Sequence, residues 1–245
     1  MDNLSILSAN VRGFRTNLGD LTHSFVLPLK PDIIATVETF LNSTVPDNYG
    51  KISGYTKWHR NDRTNGTKGG IAVCFKNTLQ VQPLEVEMPN HLELSFFRLW
   101  ANSHEALLLC VCYRPQWQGP EPLIFLQDNL DSLLLQFSCK NTIIVGDLNQ
   151  HLVARAYDDL LDIYGLANHV DFPRHTYQGH HSILSSLTSS KVLSSVAPRG
   201  LLARPTTLPF TPCSTLRPCG RKLLLAQHGS GTEVIGMVYV LPWTE

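Results

Sequence analysis

The sequence has little charge and no excess of either sign. Of its 245 residues 16% are charged, and 20 basic residues balance 20 acidic ones. With 43% hydrophobic residues, charge-driven disorder of the whole chain is excluded. The zero balance gives no support for a strongly basic nucleic-acid module, although a local basic face is compatible with it.

Signals of membrane or secreted proteins are also absent. No apolar run approaches the ~18 residues that cross a bilayer, and the N-terminus, with Asp2 and a broken apolar stretch, does not read as a signal peptide. The six cysteines show neither zinc-binding spacing nor the density of a disulfide-rich domain. We therefore expect an intracellular protein without membrane contact.

Acidic residues almost disappear from the last quarter. Residues 183–245 contain only Glu233 and Glu245 against six basic residues, and they are rich in Ser, Thr, Leu and Pro. Their apolar residues follow neither a strand nor a helix period until the run GMVYVLPW. The sequence thus predicts a folded domain over residues 1–181 and a poorly ordered tail over 182–245.

The first three quarters alternate between strand-like and helix-like segments. Leucines at helical spacing predict a helix over 121–137, residues 153–164 before Gly165 predict another, and 17–29 is a third candidate. This interleaving predicts an α/β or mixed α+β class. Apolar and β-branched runs predict strands over 4–10, 32–38, 69–75, 92–100, 106–113 and 141–147.

Polar side chains end four of the predicted strands. Ligand sites in α/β folds lie beyond the carboxyl ends of strands. Two carboxylates, amides and a phenol gathered there suit Mg²⁺ and a phosphate, with one carboxylate at the metal and the other acting as a general base. Taken singly, each residue is more commonly a turn, a helix cap or a solvated strand end. The residues are Asn10, Glu38, Tyr113, Arg114, Asp147 and Asn149.

Five motifs follow one another along the chain, namely SANVRG, PDIIATVET, RNDRTNGTKGGIAV, CYRP and IIVGDLN. Their joint order resembles the endonuclease/exonuclease/phosphatase family, whose fold is that of deoxyribonuclease I. The segment VDFPRHTYQGHHS at 170–182 is similar to one in endonucleases of LINE-type, non-LTR retrotransposons. The resemblance covers about residues 3–181 and implies a four-layer α/β sandwich of two β-sheets flanked by helices.

The resemblance implies a role for each matching residue. Glu38 and Asn10 match the residues of the metal site and are catalytic in the family. Tyr113 and Asn149 match catalytic residues that contact the phosphate. Asp147 matches the aspartate that orients or deprotonates the attacking water. Further substrate contacts are expected from Arg114, Thr176 and Arg63, although a solvated loop position is the alternative for Arg63.

The implied activity is Mg²⁺-dependent hydrolysis of DNA, with Mn²⁺ as the alternative ion and no small-molecule cofactor. The implied protein is the endonuclease domain of a non-LTR retrotransposon, acting in the nucleus beside a reverse-transcriptase region of the intact element. Two alternatives stay open. One is a non-catalytic fragment or remnant, and the other is a phospholipid or inositol-phosphate phosphodiesterase of the same fold.

Two parts of the family pattern are missing, namely an aspartate shortly after Ser182 and a terminal Ser-Asp-His. No aspartate follows Asp171. In a shifted reading frame, residues 203–209 permit Gly-Ser-Ser-Asp-His-Thr-Ala, and 183–188 and 222–236 permit further family-like sequence. We predict a frameshift near residues 179–182 that impairs this copy and leaves a sheet edge unpaired. A genuinely divergent tail is the alternative.

Overall fold

The computed structural model describes residues 4–64, 66, 68–100 and 106–168, and the backbone of five later strands. The strands are β1 (Leu4–Asn10), β2 (Ile33–Val37), β3 (His59–Asn61), β4 (Ile71–Phe75), β5 (Gln80–Leu84), β6 (Glu93–Trp100), β7 (Ala106–Tyr113), β8 (Cys139–Asp147), β9 (Leu166–Asn168), β10 (Thr176–Tyr177), β11 (His180–His181), β12 (Leu184–Ser189), β13 (Lys222–Gln227) and β14 (Glu233–Leu241). The helices are α1 (Phe14–Asp20), α2 (Leu27–Leu29), α3 (Glu121–Gln136) and α4 (Ala154–Tyr164), with a π-helical segment at Leu21–Val26 and a 3₁₀ turn at Gln150–Leu152.

Within the described residues the strands form two mixed six-stranded sheets and the short pair β10–β11. The first sheet has the order β13-β14-β1-β2-β4-β3, and the second has the order β5-β6-β7-β8-β12-β9. Each sheet contains one parallel pair, β1 with β2 in the first and β7 with β8 in the second. These two parallel pairs carry the residues of the candidate site.

Three apolar clusters show that sheets and helices form four layers. Ile6 and Ile33 of the first sheet pack against Leu109 and Val145 of the second, so the central cluster lies between the sheets. A second cluster joins α3 and α4 to the outer face of the second sheet. A third joins α1 and the π-helical segment to the outer face of the first sheet. This architecture confirms the predicted four-layer α/β sandwich.

Burial explains the apolar patterns of β7 and α3. All eight residues of β7 are buried, because one face meets the other sheet and the other meets α3, and a strand covered on both faces needs a continuous apolar run. In α3 the buried Leu123, Leu126 and Leu130 recur at helical spacing, whereas Leu135 on the other side is exposed. Among the described residues, no helix is long and apolar enough to cross a membrane.

Gly146 lets β8 run beside β7 at the level of the site. Its φ is 135°, and a Cβ atom there would overlap the carbonyl group of Cys112, so only glycine fits. The parallel register next to this contact pairs Tyr113 with Asp147. The close approach therefore fixes these two residues side by side at the end of the strand pair.

The six predicted strands and the helices predicted over 121–137 and 153–164 are confirmed, with bounds shifted by two residues or fewer. The candidate helix 17–29 is part of a longer helical stretch that begins at Phe14. β12, β13 and β14 lie within the predicted tail, and β14 pairs with β1 along Leu4–Asn10. β1 thus has a strand on each side, β14 and β2, and the unpaired edge stays a prediction. Residues 203–209 lie outside the described residues, and the frameshift stays a prediction.

Candidate active site

The carboxyl ends of two parallel strand pairs meet at one mouth of the sandwich. Asn10 ends β1 and Glu38 directly follows β2 in the first sheet. Tyr113 and Asp147 end β7 and β8 in the second sheet. Because parallel neighbours end at the same sheet edge, each pair presents its polar residues together, and the packing of the sheets brings the two pairs face to face.

Hydrogen bonds join these four residues directly across the two sheets. Asn10 Nδ2 donates to Glu38 Oε1 at 2.8 Å and to Asp147 Oδ2 at 3.0 Å. Tyr113 Oη donates to Glu38 Oε1 at 3.0 Å. Two carboxylate oxygens within 3.0 Å of one nitrogen cannot be further apart than twice that distance, which lies within the roughly 4–8 Å that a metal ion and one water can bridge.

The amide of Asn10 turns its nitrogen, rather than its oxygen, toward the carboxylates. Asn10 Oδ1 accepts a hydrogen bond from the Arg12 backbone N–H at 3.2 Å. In this arrangement Asn10 holds the two carboxylates together, and direct ligation of a metal by its oxygen would require the amide to rotate. The predicted role of Asn10 as a metal ligand stays a prediction.

The side chains at the mouth fit a magnesium ion. No group of three or more His, Cys, Asp and Glu side chains suited to a metal is found within the described ranges. Mg²⁺ needs no such group, because it takes one or two carboxylates and keeps several waters. Asn149 Oδ1 is buried and accepts no hydrogen bond from the described residues, and a metal-bound water would satisfy it. Of the two carboxylates, Glu38 would hold the ion, and Asp147 would be left to act on a water.

Tyr113 is held in its protonated, hydrogen-bond-donating form. Burial raises its pKa far above the ordinary tyrosine value, and the negative charges of Glu38 and Asp147 raise it further. At neutral pH the hydroxyl group thus carries its proton, which it donates to Glu38 here and could donate to a phosphate oxygen in a complex.

The backbone at Glu38 adopts a conformation that side chains rarely take. Glu38 and Phe40 both have φ of 54°, in the left-handed region that costs a non-glycine residue about 1 kcal/mol or more. The neighbouring loops hold this turn, since the Gly13 N–H donates to the Glu38 carbonyl at 2.8 Å and the Thr39 N–H donates to the Gly70 carbonyl at 3.3 Å. Such over-determined strain is typical of functional sites.

Arg114 lies beneath the site rather than at its surface. It is 0% exposed, and its guanidinium donates to the carbonyls of Leu148 at 2.7 Å, Asn149 at 2.6 Å and Gln118. Burial lowers its pKa. This geometry does not fit the predicted contact with substrate. Instead, Arg114 ties the loop after β7 to the loop that carries Asn149.

Arg63 lies at the rim of the site and is paired with a residue that the sequence did not single out. Its guanidinium donates twice to Oε1 of Glu93, which is 6% exposed. Glu93 Oε2 accepts the Gly70 N–H. Burial raises the pKa of Glu93, and the bonds from Gly70 and Arg63 oppose this. In the sequence, the one feature that marks Glu93 is that its carboxylate stands between Leu92 and Leu94 in an apolar strand.

Thr176, the remaining candidate contact, lies in β10, which pairs with β11. Its side chain lies outside the described part of the structure, so its predicted contact stays a prediction.

Fold and site together define the chain as an α/β sandwich of the nuclease and phosphatase class, with its polar residues at the strand ends. The chain belongs to the endonuclease/exonuclease/phosphatase family, whose model matches residues 7–221. That match extends past the boundary predicted at residue 181. No curated protein sequence matches the chain.

Solved structures share the fold over nearly the whole chain. The endonuclease domain of TRAS1, a telomere-specific non-LTR retrotransposon, is 13% identical with a TM-score of 0.64, covering 99% of this chain and 100% of that one. The AP endonuclease LMAP from Leishmania major is 14% identical with a TM-score of 0.63, covering 98% and 89%. The 3′-5′ exonuclease NExo from Neisseria meningitidis is 14% identical with a TM-score of 0.64, covering 97% and 99%.

Proposed function

We propose that this chain is a Mg²⁺-dependent DNA endonuclease from a non-LTR retrotransposon, in a copy whose activity is impaired. The observation that carries the proposal is the hydrogen-bonded convergence of Asn10, Glu38, Tyr113 and Asp147 from two sheets. Family membership and the fold shared with a retrotransposon endonuclease domain support it. A nuclear site of action and a reverse-transcriptase region in the intact element belong to the same proposal.

The reaction is the attack of water on a phosphodiester. Asp147 orients the water and takes its proton as the oxygen–phosphorus bond forms. The bond between phosphorus and the 3′ oxygen breaks, and protonation of that oxygen leaves a 3′ hydroxyl and a 5′ phosphate. Glu38 would hold the metal ion, whose positive charge would offset the negative charge of the phosphoryl oxygens.

The other residues bind and orient the phosphate. The Tyr113 hydroxyl carries its proton at neutral pH, and in a complex with DNA it would donate a hydrogen bond to a phosphoryl oxygen instead of to Glu38. Asn149 is held by a hydrogen bond of 2.8 Å from its Nδ2 to the Arg114 carbonyl. Positioned donors of this kind lower the barrier as charge develops on the phosphoryl oxygens.

The proposed impairment follows from the missing Ser-Asp-His. The family histidine would donate a hydrogen bond to the scissile phosphate, and losing one such donor slows a reaction by about 10²–10³-fold. We therefore propose residual rather than full activity for the chain as written.

Nicking of supercoiled plasmid DNA with Mg²⁺ tests the activity. We expect slow nicking that is abolished by EDTA, by Asp147→Ala and by Glu38→Gln, and unchanged by Asp159→Asn, which alters an exposed carboxylate of α4. Nicking that survives Asp147→Ala would contradict the assignment of the site. Absence of any nicking, even after the reading frame is restored, would favour a non-catalytic remnant. Hydrolysis of a phospholipid or an inositol phosphate in preference to DNA would favour the other enzymatic alternative.

A further inference from the structure

We propose that Trp117 and Arg63 form a platform on which one nucleobase of the DNA strand stacks, next to the candidate active site. The proposal rests on the proposed function, because it names how that site would engage DNA. Trp117 is 75% exposed, whereas Trp58 is buried at 4%. Indole rings are usually well covered, and an exposed one beside a binding site commonly contacts a ligand.

The position of Trp117 links it directly to the mouth of the site. The Arg63 guanidinium carbon lies 5.7 Å from the centre of the Trp117 ring and 5.8 Å from the centre of the Tyr113 ring. The hydroxyl of Tyr113 reaches Glu38. One guanidinium thus separates the exposed indole from a residue of the phosphate site, a span that a few nucleotides cover at about 3.4 Å each.

Arg63 is fixed in place before any ligand arrives. Its guanidinium is paired with the buried carboxylate of Glu93, and it packs so closely on Gly69 that a Cβ atom there would lie 2.5 Å from Arg63 Cζ. Because Glu93 compensates its charge, Arg63 is better suited to hold the indole and stack as a planar group than to neutralise a phosphate. The platform is therefore aromatic in character, which favours a base over the backbone.

A cleft beside the platform offers room and polar groups for the edge of a base. It has a volume of about 460 Å³, and its lining combines polar side chains such as Asn90 and His91 with apolar ones such as Val86 and Met88. This volume lies within the roughly 300–1,000 Å³ of small-ligand sites. A base stacked on the indole would present its hydrogen-bonding edge to the polar side chains of this cleft.

Binding measurements on the full chain test the platform independently of catalysis. All variants carry Asp147→Ala, which removes the proposed general base. In the presence of Mg²⁺, each protein is titrated into single-stranded oligonucleotides of about eight nucleotides, within the usual site size for single strands. We expect Trp117→Ala to weaken binding by about 5- to 150-fold, the range for one base–aromatic stack. Trp117→Phe should retain most of the affinity. Leu135→Ala, which truncates an exposed leucine in the last turn of α3, should change nothing.

An abasic scan identifies the stacked base. A series of oligonucleotides, each with one abasic position, should show weaker binding at a single position. With that oligonucleotide, Trp117→Ala should cause no further loss of affinity, because both changes remove the same contact. Equal binding by Trp117→Ala and the parent, or equal losses at every abasic position, would overturn the platform. The platform would also be overturned if Trp117→Ala lost binding to phospholipid vesicles but not to the oligonucleotides. Absence of nicking by the chain with Asp147 intact would contradict the proposed function. The binding test would still be interpretable, because it does not depend on cleavage.

Discussion

The effect of Glu38→Gln on the stability of the protein should change sign when magnesium is added, because Glu38 and Asp147 lie close together at the mouth. In Glu38→Gln the side chain keeps its shape and the oxygen that accepts from Asn10 and Tyr113, but it loses its charge. At a separation of about 6 Å and an effective dielectric constant of about 20, repulsion between Glu38 and Asp147 is about 3 kcal/mol. Weakening of two charge-assisted hydrogen bonds offsets about 2 kcal/mol of that gain. We expect the metal-free variant to be about 1 kcal/mol more stable than the parent.

Magnesium should reverse this order. An ion that binds only the folded parent stabilises it by RT ln(1 + [Mg²⁺]/Kd), about 1.4 kcal/mol at ten times Kd, and Glu38→Gln removes a ligand. Thermal unfolding in EDTA and in rising millimolar Mg²⁺ measures both terms, at about 2–4 °C of Tm per kcal/mol for a domain of this size. Glu85→Gln, which neutralises an exposed carboxylate, is the matched control.

Two outcomes would refute the reasoning. Asn10 donates to both carboxylates and so places them close together. If Glu38→Gln is less stable than the parent in EDTA, the expected repulsion between Glu38 and Asp147 does not destabilise the parent. If parent and variant gain the same Tm from Mg²⁺, the ion is held elsewhere. A gain shared by Glu85→Gln and absent from Glu38→Gln is the result that we expect.

Three further changes should have effects of known direction. Although burial opposes it, the 2.7 Å hydrogen bond from Lys76 helps to lower the pKa of Asp32, so Asp32→Asn should cost about 1.5–3 kcal/mol at pH 7. That deficit should begin to shrink as the pH falls below about 4, the ordinary value for an aspartate, and should disappear only below the lowered pKa of the folded carboxylate. A deficit unchanged at pH 3 would contradict it. Gly146→Ala should cost more than about 3 kcal/mol in urea unfolding, whereas Gly19→Ala, with open space around it, should be neutral or stabilising; equal stabilities would contradict the close approach. A frame-restored chain should nick plasmid at least about 100-fold faster than the chain as written, and equal rates, both abolished by Asp147→Ala, would show that the tail is dispensable.

Elements buried on both faces were predictable, and short edge elements were not. β7 is covered on both sides, so its residues Ala106–Tyr113 form an unbroken apolar run that marks a strand. β5 at Gln80–Leu84 is mostly exposed, and β3 at His59–Asn61 has three half-buried residues. Such strands exist because a neighbour offers its backbone for pairing, and that neighbour is not visible in the local pattern.

The same distinction applies to the site. Asn10, Glu38 and Asp147 were predictable because each follows an apolar strand, and strand ends are where ligand sites form. The burial of Arg114 was not predictable, since it depends on carbonyls 34 and 35 residues away in the chain. The pairing of Arg63 with Glu93, 30 residues apart, is equally non-local. Local pattern thus places a residue at a strand end, but tertiary contacts decide whether it faces substrate or holds a loop.

The pairing of β1 with β14 has a consequence for how the protein is made. The register joins Leu4 to Leu241, so β1 is synthesised long before the strand that covers this edge. At about 5–20 residues per second, a nascent chain keeps one edge of β1 open for roughly 10–50 s. During that interval the edge is available to other strands, including those of neighbouring nascent chains. The pairing of β1 with β14 therefore cannot form until β14 has left the ribosome.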